Sequence, residues 1–188
     1  ELSRTIHFLF VRKQRNRWLR RIWPPSYYWY YRRWHLDALK LAQELHTEIG
    51  FDIAHQLTMV GFREPGYLWQ MNIPFVWGPI GGMGLFPWGF LAKVGAYGAL
   101  YYFGYNVANL LQMRYLRRPR LAAVAAGSGL ITATPDNMAR VKRYWGVASA
   151  VLSEVGLPDT RAQQPQKRLL DEEFQIGESQ LFVFSFHP

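Results

Sequence analysis

The chain has 188 residues, a formal net charge of +9 and no cysteine. That length suits one domain or one and a half, and 49% hydrophobic residues with 16% aromatics exclude wholesale disorder. Zero cysteine excludes disulfides, thiolate metal sites and a cysteine nucleophile.

Residues 1–34 hold nine Arg or Lys against one acid, Glu1, with Trp18, Trp23, Trp29 and Trp34 interleaved. Such a head suits an anionic membrane surface or a phosphate-rich ligand. A solvated basic loop fits the same residues. No nucleic-acid motif accompanies the charge, so no nucleic-acid partner is expected. The chain opens on Glu1 with no signal-peptide pattern and reads as a fragment whose start lies upstream. Residues 5–11 read as a short buried strand and 12–21 as a basic connector, punctuated by Pro24-Pro25. Ser26 is placed to cap a helix. Trp34, Ala38, Leu41 and Leu45 set its apolar face, and Gly50 stops it.

Residues 51–57 are the next strand, 65–71 a short helical piece, 74–77 another strand and 78–84 a glycine-rich loop. Strand, helix, strand in this rhythm predicts an α/β fold, a Rossmann-like parallel sheet with flanking helices. Residues 85–111 are apolar, with Lys93 the only formal charge. They are long enough for a membrane span. Pro87, four glycines, Asn106 and Asn109 favour buried or membrane-surface helices instead. Residues 130–134 are a strand, Thr134-Pro135-Asp136 starts a helix, and 148–153 are a short strand. Residues 161–180 look like a polar linker, and 181–186 begin another buried strand.

In open α/β sheets ligands sit past the carboxyl ends of strands. His55 stands there, after the apolar run Phe51–Ile53. A histidine in that place can exchange a hydrogen bond with a sugar hydroxyl, or hold phosphate when protonated; a structural histidine has the same sequence signature. Gly78, Gly81 and Gly82 lie in the loop, where bare backbone can approach a ligand and offer N–H groups to an anion. The same G-P-I-G-G run is also a good turn, and it has neither P-loop nor dinucleotide-motif spacing. Arg63 and Glu64 suit an anionic or hydroxylated acceptor, or a surface ion pair. Thr134 is a helix cap first and a ligand second. No spacing among the five histidines suggests a metal site, and no cofactor is implied.

Taken together, His55, the Arg63-Glu64-Pro65 run, the long I-P-F-V-W-G-P-I-G-G run ending at Gly82, and the A-T-P-D helix start at 133–136 resemble the retaining glycosyltransferases of GT-B fold, of the group 1 or family-4 type. The likeness runs from about Trp34 to Pro158 and implies the following expectations. Residues 1–160 are the N-terminal, acceptor-side domain without its first strand and glycine loop. Residues 161–180 link to a C-terminal domain that 181–188 only begin, departing from the family pattern at Phe186-His187-Pro188. The intact protein transfers a sugar from a nucleotide-sugar donor to a glycan or lipid-linked acceptor with retention, in the cytoplasm at the inner face of a membrane. His55 serves catalysis; Gly78, Gly81, Gly82, Arg63, Glu64 and Thr134 contact substrate. The nucleotide pocket and its two glutamates belong to the other domain, so the isolated chain is expected not to turn over. The alternative is a non-enzymatic membrane-surface module built on the basic head and on 85–111.

Overall fold

The computed structural model describes residues 6–12, 17–23, 26–57, 61–153 and 181–184. In chain order they form β1 (Ile6–Leu9), α1 (Arg17–Ile22), α2 (Ser26–Ile49), β2 (Ala54–Gln56), β3 (Phe75–Ile80), α3 (Gly95–Tyr115), α4 (Arg117–Ala126), β4 (Leu130–Thr132), α5 (Pro135–Trp145), β5 (Ala150–Val151) and β6 (Leu181–Phe184). Short 3-10 turns at Leu68–Gln70, Trp88–Lys93 and Gly127–Gly129 join them. The class is mixed α/β: β2, β3, β4 and β5 make a four-stranded, all-parallel sheet with helices packed against it. β1 pairs in parallel with β6 in a separate two-stranded sheet. The expected linker at 161–180 lies outside the described residues.

β3 is the centre of the main sheet, and its residues show why. Phe75, Trp77 and Ile80 are buried, as a central parallel strand demands. The strand runs three residues further than the sequence predicts, taking Gly78, Pro79 and Ile80 from the expected loop. From the Trp77–Leu130 pair to the Ile80–Thr132 pair, β3 advances three residues while β4 advances two. The extra residue makes a bulge at Gly78-Pro79, where a proline without an N–H is tolerated. Gly78 is required there. Its φ is +135°, and a Cβ on it would lie 2.2 Å from the Ile131 carbonyl oxygen.

The main core joins β3 to the helices. Trp77 stacks on Trp145 of α5, and Phe62, Met83, Met113, Leu130 and Val141 fill the space around them. The Trp145 indole N–H donates to the Met113 carbonyl at 3.0 Å, so α5 and α3 are locked inside the core. α2 buries Tyr31, Trp34, His35, Ala38, Leu39 and Ala42. That stripe is rotated from the expected one: Trp34 and Ala38 lie on it, whereas Leu41 and Leu45 are only half-buried at its edge. Leu39 and Ala42 pack on Met71, which sets the rotation. Ser26 is the first residue of α2 rather than its cap, and its buried Oγ has no hydrogen-bond partner among the described residues. Gly50, at φ +77°, ends the helix as the sequence predicts.

Within the described residues no helix is long and apolar enough to cross a membrane. α3 occupies most of the apolar segment, but Asn106 and Asn109 are buried on its inner side. Strand order from β2 to β5 follows sequence order, so these four strands contain no switch point. What gathers at their carboxyl ends is therefore set by the loops.

Candidate functional site

β3 and β4 end side by side, tied by the Ala133 N–H donating to the Ile80 carbonyl at 2.8 Å. Two segments leave from this point, residues 81–87 after β3 and Ala133-Thr134 after β4. Between them opens a groove of about 570 Å³. Gly82, Gly84, Phe86, Tyr102, Tyr105, Thr134, Asp136 and Asn137 line it.

The wall contributed by residues 82–86 is held by amides of α3. Asn106 accepts from the Phe86 N–H and donates to the Phe86 carbonyl, both at 2.8 Å. Asn109 donates to the Gly84 carbonyl at 2.8 Å and, at 3.4 Å, to that of Gly82. Its Oδ1 accepts from Arg63 at 2.6 Å, and Arg63 also donates through Nε to Gln112. Asn106 and Asn109, spaced by three, thus present one polar side of α3 to a loop that has no regular partner strand, and Gln112, three residues on, takes Arg63. The Phe86 ring stacks on Tyr102 at 3.9 Å between centroids. In the sequence these asparagines stand out only as interruptions of an apolar run. The available signal was their spacing: two amides three apart in an apolar helix must be satisfied when buried.

The opposite wall is the start of α5. Thr134 is its cap, accepting from the Asn137 N–H at 3.2 Å, as the sequence predicts. Its hydroxyl hydrogen is left to donate. Asp136 is paired with Arg140 at 2.9 Å, one turn along α5, and keeps most of its carboxylate in solvent.

The remaining expected residues divide. His55 is exposed on β2, and its Nε2–H donates to the Gly78 carbonyl at 3.0 Å. A carbonyl only accepts, so Nε2 carries the proton and Nδ1 is the nitrogen available to an outside group. Gly78 and Gly81 are buried. Gly78 serves the close approach to β4. Gly81 bridges to Gly61, and its carbonyl accepts from the Phe62 N–H at 3.1 Å. Gly82 alone of the three is exposed at the groove, at φ +75°.

Arg63 and Glu64 are not a surface ion pair, because their side chains go different ways. Arg63 lies over Phe62 and supports the loop through α3. Glu64 is buried and takes Arg118 of α4 at 3.0 Å and Arg32 of α2 at 3.5 Å. Arg118 also covers the Tyr67 ring and donates to the Gly66 carbonyl. Glu64 therefore ties α2 to α4 beneath the surface. Of the seven expected residues, Gly82 and Thr134 line the groove, Arg63 supports its wall, His55 and Gly78 are joined by one hydrogen bond, and Gly81 and Glu64 hold the scaffold. Among the described residues no cluster of His, Asp and Glu could hold a metal ion.

Aromatic rings, fixed backbone carbonyls, a hydroxyl and a carboxylate around an open groove are chemistry that fits a polyhydroxylated ligand: rings pack on C–H faces while the polar groups fix orientation. No protein-family model, curated protein or solved structure matches the chain.

Proposed function

We propose that this chain is the acceptor-side domain of a retaining, GT-B-fold glycosyltransferase of the family-4 type. One observation supports the reading above the others. Two of the runs that carry the resemblance, the glycine run ending at Gly82 and the helix start at Thr134, lie some fifty residues apart in sequence and line the same groove. Ligands of open α/β sheets lie at the carboxyl ends of strands, and the groove opens at the ends of β3 and β4.

In this reading the groove holds the acceptor and a second domain brings the nucleotide-sugar. Tyr102, Tyr105 and Phe86 pack against sugar rings, and Thr134 donates to an acceptor oxygen. His55, its tautomer fixed by Gly78, offers Nδ1 to a hydroxyl of the transferred sugar. Orientation of this kind supplies much of the rate in transfer reactions, and stabilisation of the departing diphosphate falls to positive groups of the donor side.

The test is release of nucleoside diphosphate from a panel of nucleotide-sugars by the full-length protein containing this segment, with glycan and lipid-linked acceptors present. Release that needs an acceptor, and that His55→Ala lowers by about a hundredfold while the fold is kept, is expected. Unchanged release in the variant removes His55 from the site, and no release from any donor contradicts the transfer reading.

A further inference from the structure

α3 has its polarity reversed for a helix in water. Its amides Asn106 and Asn109 point inward to the loop, and Gln112 takes Arg63. Its outer surface carries Tyr97 at 86% exposure and Leu100 at 72%, with Tyr101, Phe103, Leu111 and Tyr115 also exposed. The turn before it adds exposed Trp88 and Phe90, and Trp88 meets Phe103 edge-on, so the two elements share one apolar surface. At 21 residues and 1.5 Å per residue, α3 is roughly 30 Å long. An exposed apolar face of that extent marks a contact surface.

The charge around it selects the partner. Between Glu64 and Asp136 the chain has no carboxylate and five bases. Arg118 is engaged by Glu64, while Lys93 before α3, Arg114 in its last turn, and Arg117 and Arg120 after it are exposed. A second copy seated on this face would bring base against base with no acid in the segment to relieve it. A bilayer with anionic headgroups supplies negative charge to the bases, an apolar layer to Leu100 and Leu111, and the interfacial depth that Trp and Tyr prefer.

We propose that the turn Trp88–Lys93 and α3 form a docking face that lies in the interface of an anionic lipid bilayer, parallel to its plane. The face holds the groove at the membrane surface, because the same helix carries Tyr102 and Tyr105 into its lining. It stands whether or not the groove transfers sugar.

The experiment is co-sedimentation of the whole chain with phosphatidylcholine vesicles, with and without phosphatidylglycerol. Binding that requires phosphatidylglycerol is expected, and the double variant Leu100→Glu, Tyr101→Glu should lower partitioning by about tenfold or more. Phe90→Glu, in the turn outside the helix, should act in the same direction, so a misfolded double variant does not leave the question open. Far-UV circular dichroism checks each variant. Three outcomes overturn the proposal: no binding to either vesicle, binding that all these variants leave unchanged and Trp18→Glu in the basic head removes, or a dimer in vesicle-free solution that the variants convert to monomer.

Discussion

Gly78 shows how one residue joins the sheet to the site. Its carbonyl accepts from His55, and its bare Cα lets β3 close on Ile131. Alanine there would meet the Ile131 carbonyl at 2.2 Å and would have to keep a φ of +135°. Gly78→Ala is therefore expected to cost about 3 kcal/mol or more, through clash and backbone strain together. In a chain of this size that is a melting temperature lower by roughly 10 °C in a thermal unfolding scan. A scan within a degree or two of wild type would mean that β3 and β4 do not approach as described. Glu64 carries the opposite lesson. Its sequence context, beside Arg63 and before a proline, suits a surface pair, yet its carboxylate is buried between two arginines brought from α2 and α4. Neither arginine is near it in sequence, so nothing local announces the burial.

At the scale of elements, what was legible depended on where the deciding contacts lie. The start of α5 was readable because Thr134, Pro135 and Asn137 settle it among themselves. The end of α2 at Gly50 was readable for the same reason. The face of α2 was read in the wrong rotation, since Met71 and its neighbours choose it from outside the helix. The length of β3 was missed because G-P-I reads as a turn until β4 supplies the partner for Ile80. α1 was missed inside a run read only for its charge. The wall of the groove depends on a tertiary pairing as well, between the loop at 82–86 and the amides of α3. Asn106→Ala leaves the Phe86 N–H and carbonyl without partners, a loss of about 2 kcal/mol where those groups are shielded. Hydrogen exchange of the Phe86 amide should then speed up markedly while the amides of β3 keep their protection. Equal protection in wild type and variant would show that the loop holds its shape without α3.

At the scale of the molecule, the sheet, the groove and the charge belong to one arrangement. Parallel strands deliver the segments at 81–87 and 133–134 to the same edge, as sequence rhythm and the strand-end rule predict. The reversed polarity of α3 was not legible in that way, because an apolar segment does not say which of its sides faces the core. Once the amides turn inward, the aromatic side must face outward, and the stretch from 65 to 135, which has no carboxylate, brings only positive charge to it. A groove of rings and hydrogen-bonding groups beside the proposed lipid-docking face would suit an acceptor that is itself lipid-linked. The most direct measurement of the proposed transfer is the anomeric configuration of the product formed by the protein containing this segment from a nucleotide-sugar and an acceptor, read from proton couplings against those of the donor. Retained configuration on an acceptor-linked product is the expected result. An inverted linkage, or release of free sugar with no acceptor product, would contradict the account.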